Sequence, residues 1–124
     1  MTPKKILLVD DEEPVRAVVG DTLRHDSRYQ LMEARNGAEA LEKAFQEKPA
    51  LILLDIRMPG MDGFEVCRRL KSDPRTRDIT VIVLTALAQE AYKERGQEVG
   101  ADGYFTKPFS PSALIAKVEE VLGG

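Results

Sequence analysis

The chain contains 124 residues, of which 43% are hydrophobic and 31% are charged, and its formal net charge is −3. This length and composition predict one globular domain with a single core. One cysteine excludes an intrachain disulfide scaffold, one histidine leaves little material for a zinc site or a histidine relay, and the acidic balance argues against direct nucleic-acid binding.

No segment of the sequence has the pattern of a signal peptide or a membrane span. The apolar run at residues 6–9 is much shorter than a signal peptide requires, and the uncharged run at 79–88 has about half the length that a bilayer requires. We therefore expect a cytoplasmic protein with no membrane partner.

The first half of the chain alternates strand and helix patterns. Residues 6–9 predict a buried strand, and residues 29–34 predict a weaker strand that is typical of a sheet edge. Between them, Pro14 occupies a first-turn position of a helix. The inward face of that helix is predicted at Val15, Val18, Val19, Thr22 and Leu23. Asn36 can cap a second helix that ends near Pro49, with an inward face at Ala38, Leu41, Ala44 and Phe45.

The second half continues the same alternation. Strands are predicted at residues 51–54, at 81–84 and, as a short edge, at 103–106. A third helix places Phe64, Cys67 and Leu70 inward, so that Cys67 is predicted to be an inert core residue. A fourth helix, about 89–99, is weakly anchored because its apolar face is mostly alanine and it contains Gly96. Ser110 and Pro111 open a fifth, with an inward face at Leu114, Ile115, Val118, Val121 and Leu122.

Five strand–helix units predict a doubly wound parallel sheet with helices on both faces, which is a three-layer α/β sandwich. No repeat, low-complexity segment or internal linker interrupts the pattern. We therefore expect a single domain over residues 1–124, in which residues 123–124 are a frayed tail or the start of a linker.

Polar residues follow four of the predicted strands. Asp10 and Asp11 follow the first strand, Asp55 the third, Thr85 the fourth and Lys107 the fifth. Open parallel sheets bind ligands beyond the carboxyl ends of their strands, so these five side chains are expected to share one shallow pocket.

Three carboxylates in one pocket repel each other unless a cation neutralises them. Oxygen ligands of this kind suit Mg²⁺, and the acids lack the spacing of a calcium-binding loop. A carboxylate beside Mg²⁺ and opposite a lysine is placed to attack a phosphoryl group, and an aspartate can carry phosphate covalently.

Two other functions compete with this one on the same predicted fold. A flavin or dinucleotide site needs amides that face phosphate, whereas the first loop here contains four consecutive acids at residues 10–13. An aspartate-nucleophile phosphatase is a closer rival, but such enzymes usually carry a second acid two residues after the nucleophile, where this chain has Arg57.

Four segments, in order and at matching spacing, resemble the receiver domain of bacterial two-component response regulators. They are Leu-Val-Asp-Asp-Glu at residues 8–12, Leu-Leu-Asp-Ile-Arg-Met-Pro-Gly-Met-Asp-Gly at 53–63, Leu-Thr-Ala at 84–86 and Gly-Ala-Asp-Gly-Tyr-Phe-Thr-Lys-Pro-Phe at 100–109. The resemblance covers nearly the whole chain, and it implies a flavodoxin-like fold with strand order 2-1-3-4-5 and five helices.

The resemblance also implies a role for each site residue. Asp55 would be the phosphoacceptor, and Lys107 would pair with the phosphoryl oxygens. Asp11 would bind Mg²⁺ directly, Asp10 mostly through water, and Arg57 through its backbone carbonyl.

Thr85 and Tyr104 would be switch residues, because the threonine would bind the phosphate and let the aromatic side chain rotate inward. The implied partners are a sensor histidine kinase or phosphotransfer protein, and an output partner or fused output domain that reads the fourth helix, fifth strand and fifth helix. The chain would not be an enzyme beyond its own phosphorylation and dephosphorylation.

Overall fold

A computed structural model describes residues 2–58, 60–85, 90–107 and 109–123, and in these ranges five strands alternate with five helices. The strands are β1 (Lys4–Val9), β2 (Tyr29–Ala34), β3 (Leu51–Asp55), β4 (Thr80–Thr85) and β5 (Gly103–Thr106). The helices are α1 (Glu13–Leu23), α2 (Gly37–Glu47), α3 (Gly63–Ser72), α4 (Glu90–Glu98) and α5 (Pro111–Leu122).

The strands form one parallel sheet in the order β2-β1-β3-β4-β5. This order confirms the doubly wound prediction and places both predicted edge strands, β2 and β5, at the two edges. The inner strands β1, β3 and β4 carry the continuous apolar runs, because helices cover them on both faces.

Alternate residues of each inner strand build two separate core layers. Ile6 and Leu8 of β1 pack with the buried residues of α1 and α5, including Val19 and Leu114. Leu7 and its neighbours on the opposite face pack with the buried residues of α2 and α3. Because successive side chains of a strand point to opposite faces, one short apolar run supplies both layers of the predicted sandwich.

Three helix starts carry the side-chain caps that the sequence favours. Asn36 accepts a hydrogen bond from the Glu39 amide at 2.9 Å, and Ser110 accepts one from the Ala113 amide at 3.1 Å. Asp62 caps α3 in the same way, at 2.9 Å from the Glu65 amide. Each cap contributes about 1 kcal/mol to helix stability.

Two residues that were predicted to face inward are exposed. Val18 of α1 is 37% exposed, and Ala38 of α2 is exposed as well. In α2 the buried residues include Ala40, and because each residue advances the helix by about 100°, Ala38 lies on the other side. The inward prediction was wrong for both residues, since spacings of three and four define a broad stripe but not its edges.

A lysine ties the end of α3 to the start of β5. The Lys71 ammonium donates to the carbonyl oxygens of Arg77 at 3.1 Å and Ile79 at 2.6 Å, and to an Asp102 carboxylate oxygen at 2.8 Å. The same Asp102 oxygen accepts the Val81 amide at 2.8 Å. These bonds connect the loop before β4 with the turn before β5.

Cys67 is fully buried in α3, as predicted, and its thiol lies 3.6 Å from the Val99 carbonyl oxygen, to which it donates. Burial raises the pKa of the Cys67 thiol to about 11. Because the thiolate is the reactive form, this cysteine is chemically inert near neutral pH. No helix in the described ranges is long and apolar enough to cross a membrane.

Gly96 lies in α4, and an alanine side chain fits at this position. A Cβ there would lie 3.8 Å from the Ala101 Cβ and 3.9 Å from the Phe64 ring, which are ordinary contact distances. We expect Gly96→Ala to raise the free energy of unfolding, measured by urea denaturation, by about 0.5–1 kcal/mol, because alanine favours the helix and restricts the unfolded chain.

Gly63→Ala is the matched control with the opposite sign. A Cβ at Gly63 would overlap the Asp55 carbonyl oxygen and approach the Ile56 Cα to 2.8 Å, so this variant should lose stability. A Gly96→Ala variant that is less stable than the wild type would contradict the described packing of α4.

Candidate functional site

The sheet brings the predicted site residues to one edge. Asp55 and Thr85 are the last residues of β3 and β4, and Asp10 follows β1 directly. Hydrogen bonds extend the strand pairing by one residue here, since the Asp10 amide donates to Ala34 at 3.2 Å and the Lys107 amide donates to Thr85 at 2.7 Å. The structure therefore brings these residues together at one edge of the sheet, as predicted.

One ammonium group lies among several carboxylates. The Lys107 Nζ atom is 2.8 Å from Asp10 Oδ2, 3.4 Å from Asp55 Oδ1 and 3.6 Å from Glu12 Oε2. Asp10 and Asp55 are buried, and the Lys107 side chain is only 9% exposed. Coulomb attraction is stronger in such a site than at the surface, so Lys107 holds the two aspartates together.

The buried, charged surroundings shift the pKa values of Asp10, Asp55 and Lys107. Burial raises the pKa of Asp55 to about 6, and the negative charge of Asp10 adds to this shift against the attraction of Lys107. Burial likewise raises the pKa of Asp10. For Lys107, burial acts against the charged form, but the hydrogen bond to Asp10 and the surrounding carboxylates outweigh it and raise the pKa.

The three aspartates can hold a metal ion. One carboxylate oxygen from each of Asp10, Asp11 and Asp55 lies within 4.8 Å of the others, and Asp11 is exposed to solvent. The Asp55 Oδ2 atom is buried and has no hydrogen-bond partner in the described residues. An all-oxygen donor set of three carboxylates fits a hard divalent cation that keeps several waters.

The loop after β3 holds Asp55 in a fixed orientation. The Arg57 amide donates to Asp55 Oδ1 at 3.3 Å, and the Gly63 amide donates to the Ile56 carbonyl at 2.9 Å. Gly63 must be glycine for the loop to approach β3 this closely, and Gly60 adopts a φ of 79°, which favours glycine. One Asp55 oxygen is therefore held while the other is left for a ligand.

A cavity of about 590 Å³ opens onto this site. Its lining includes Asp55, Arg57 and Lys107 together with apolar residues such as Val18 and Phe109. The cavity has room for a phosphate-sized group beside Asp55. It also gives the exposed Val18 a place at the rim of the site.

Thr85 and Tyr104 lie on one face of neighbouring strands. Thr85 is buried and Tyr104 is half-buried, and the register pairs Val83 with Tyr104 and Thr85 with Thr106. Since side chains two residues apart share a face, Thr85 and Tyr104 lie on the same side of the sheet. Pro59, Ala86 and Pro108, which belong to the quoted motifs, lie outside the described residues.

Sequence reasoning missed two residues of the site. Glu12 reaches Lys107, and Arg16 donates from its guanidinium to the Asp10 carbonyl oxygen at 2.9 Å. The Arg16 side chain is only 13% exposed. An arginine between the apolar positions of α1, Val15 and Val19, is the feature that could have indicated a buried guanidinium.

The comparisons with known proteins agree on one family. The family model of the response regulator receiver domain matches residues 6–119. The chain is 48% identical over 122 residues to the phosphate regulon transcriptional regulatory protein PhoB of Pseudomonas aeruginosa, an alignment that covers 98% of this chain and 53% of that protein. The chain spans about half the length of the curated regulators that it matches.

Solved structures have the same fold. The chemotaxis response regulator CheY4 of Vibrio cholerae has a TM-score of 0.90 and 34% identity, covering 97% of this chain and 99% of that one. The receiver domain of sensor histidine kinase PA1611 of Pseudomonas aeruginosa has a TM-score of 0.88 and 28% identity, covering 98% and 99%. That structure contains a magnesium ion coordinated in its active site cleft.

The raised pKa of Asp55 predicts a pH-dependent effect of Asp55→Asn in the metal-free protein. The pKa is about 6 in the folded state against an ordinary value of 3.8, so the folded state binds this proton more tightly and loses stability as the pH rises through this range. We expect Asp55→Asn to raise the free energy of unfolding by about 3 kcal/mol at pH 8 and far less at pH 4.

The measurement is urea or thermal unfolding at both pH values, with the exposed Asp21→Asn as the control of equal charge change. A stabilisation by Asp55→Asn that is the same at pH 4 and pH 8 would show that the Asp55 charge is not the cause.

Proposed function

Because this chain belongs to the response regulator receiver domain family, we propose that it is a phosphorylation-activated switch of a two-component phosphorelay. Asp55 accepts a phosphoryl group from the phosphohistidine of a sensor histidine kinase or phosphotransfer protein. The phosphorylated form then controls an output partner or an output domain of the same polypeptide.

One observation carries the assignment of Asp55 as phosphoacceptor. Its Oδ1 atom is held by the Arg57 amide and lies 3.4 Å from the Lys107 ammonium, whereas its Oδ2 atom is buried without a partner in the described residues. A nucleophile needs this combination, in which one oxygen sets the orientation and the other is open to react. Asp10 does not offer such an open oxygen, because its Oδ2 atom is paired with the Lys107 ammonium at 2.8 Å.

The transfer is a direct displacement at phosphorus. An Asp55 oxygen forms a bond to phosphorus while the bond between phosphorus and the imidazole nitrogen breaks. That nitrogen takes the electron pair, and because the other ring nitrogen of the phosphohistidine carries a proton, histidine leaves as neutral imidazole. Lys107 neutralises the negative charge of the transferred oxygens. We assign Mg²⁺ as the cofactor, held by Asp10, Asp11, Asp55 and the Arg57 backbone carbonyl, where it supplies further charge neutralisation.

The switch consists of Thr85 and Tyr104. Thr85 lies at the end of β4, adjacent to the phosphoacceptor strand, so its hydroxyl is placed to follow a phosphoryl group on Asp55. Tyr104 lies on the same face of the next strand and is half-buried, and its side chain would rotate inward when Thr85 follows the phosphoryl group. Phosphate shifts an equilibrium between two conformations that α4, β5 and α5 present to the output partner.

The rival function is a phosphatase that turns over free phosphomonoesters, and a third candidate is a scaffold that is not phosphorylated. The phosphatase would use the open Asp55 oxygen, but it would need a second acid at the position that Arg57 occupies. The scaffold would have no use for the open oxygen. We further propose that residues 1–124 form one receiver domain and that this domain acts in the cytoplasm without binding nucleic acid directly.

Asp55→Asn should abolish phosphorylation while the protein stays folded. The test is incubation with Mg²⁺ and a small phosphodonor, followed by intact-protein mass spectrometry and circular dichroism. Asp62→Asn, an aspartate of the adjacent loop whose capping role asparagine preserves, is the matched control and should still be labelled. Stoichiometric labelling supports the switch, sustained turnover of phosphomonoesters supports the phosphatase, and an undiminished phospho-adduct on Asp55→Asn refutes the assignment.

Mg²⁺ should bind weakly, and Asp11→Ala should abolish binding, because it removes the exposed carboxylate of the three-aspartate cluster. Calorimetric titration measures the affinity. At a Mg²⁺ concentration about ten times the dissociation constant, the wild type should gain about 1.4 kcal/mol of stability. Asp21→Ala, another exposed aspartate of the same half of the chain, should bind as the wild type does; equal binding by Asp11→Ala would exclude Asp11 as a ligand.

A further inference from the structure

Glu12 supplies a third carboxylate to Lys107, and it differs from the other two in its exposure. Its side chain is 59% exposed, whereas those of Asp10 and Asp55 are 0% and 4% exposed. We propose that Glu12 is a positioning residue that holds the Lys107 ammonium in its resting place and gives it up when the phosphoryl group arrives. This inference rests on the proposed phosphoacceptor function of Asp55.

The local structure around Glu12 favours a role outside helix capping. Glu12 occupies the N-cap position of α1 in an extended conformation, and within the described residues its side chain makes no capping hydrogen bond. Serine, threonine, aspartate and asparagine are preferred at N-caps, so glutamate is an unusual residue at this position for a capping role. The Glu12 carboxylate instead lies 3.6 Å from Lys107 Nζ.

The backbone of Glu12 is fixed by the site itself. Its amide donates to Asp10 Oδ1 at 2.9 Å, so the loop position of Glu12 is tied to the residue that holds Lys107 most closely. The side chain therefore starts from a fixed point, and Glu12 lines the same cavity as Asp55 and Arg57. Its contact with Lys107 follows from this placement.

Exposure decides which carboxylate Lys107 can release. A phosphoryl group brings nearly two further negative charges, and its oxygens compete with the carboxylates for the single ammonium. A buried carboxylate that loses its cation pays a large desolvation penalty, whereas an exposed one regains water. Glu12 is therefore the partner that is displaced, while Asp10 keeps its pair with Lys107.

The same charge slows the approach of an anionic phosphodonor. Glu12 lines the same cavity as Asp55, so a donor that binds beside Asp55 is repelled by the Glu12 carboxylate. Removing that charge should speed labelling, and the gain should be larger for a donor with more negative charge. High salt should reduce the gain, because exposed charges are screened.

The kinetic test compares Glu12→Gln with Glu13→Gln at saturating Mg²⁺. Glu13 is the next residue, is 81% exposed and pairs with Arg16, so the control removes an equal charge without touching Lys107. We expect Glu12→Gln to be labelled by acetyl phosphate, which is close to a dianion at pH 7.5, about threefold faster than the wild type at low salt. The gain in labelling rate should be smaller with phosphoramidate, the donor with less negative charge, and it should also be smaller in 0.5 M salt. Glu13→Gln should be labelled at the wild-type rate.

A second measurement reports the contact directly, without metal or donor. In the metal-free protein, the side-chain ¹⁵N resonance of Lys107 should shift in Glu12→Gln and in Glu12→Asp, whose shorter side chain keeps the charge but loses the reach. It should stay unchanged in Glu13→Gln. An unchanged Lys107 resonance in Glu12→Gln, or equal labelling rates of Glu12→Gln and Glu13→Gln, would overturn the inference.

The failure of the proposed function is distinguishable from the failure of this inference. If neither donor labels the wild type, Asp55 is not a phosphoacceptor, and the release of Lys107 to a phosphoryl group is overturned with it. The Lys107 resonance then still decides whether Glu12 holds the ammonium. If the wild type is labelled and Glu12→Gln behaves like Glu13→Gln, only the role of Glu12 is refuted.

Discussion

The ion pair between Asp10 and Lys107 is the interaction on which the rest of the site depends. Lys107 follows β5, three strand spacings from β1, which is roughly 14 Å in a flat parallel sheet. The twist of the sheet and the long lysine side chain together close this gap to 2.8 Å between Lys107 Nζ and Asp10 Oδ2. Because that ammonium also lies within 3.4 Å of Asp55, one cation keeps two buried carboxylates at the same sheet edge.

The protein tolerates an unfavourable site because other parts of the fold stabilise it. Asp55 keeps a buried oxygen without a partner in the described residues, and because burial raises the pKa of this carboxyl, its charge disfavours the metal-free fold. The two core layers, the helix caps and the contacts of Lys71 supply compensating stability away from this edge. Binding of a cation is therefore favoured, because a cation reduces the repulsion between the buried carboxylates.

The sequence predicted the fold and much of the candidate site for different physical reasons. Continuous apolar runs and their alternation with helices predicted the order of elements and the two edge strands, and the rule that ligands bind at strand ends predicted the convergence of Asp10, Asp55 and Lys107. Periodicity could not tell that Val18 lies at the rim of the cavity, because a helical stripe has no sharp border. The contact of Glu12 and the burial of Arg16 depend on side-chain reach across the loop after β1, which no spacing rule encodes.

The burial of Cys67 makes the chain well suited to probes of its own motion. With a pKa of about 11 and no solvent access, this thiol is almost entirely protonated at neutral pH, so a thiol-reactive dye or spin label would leave it unmodified. The chain also contains no tryptophan. A single cysteine or tryptophan introduced on the surface of α5 would therefore report on that helix alone, against a background free of competing labels and of indole fluorescence.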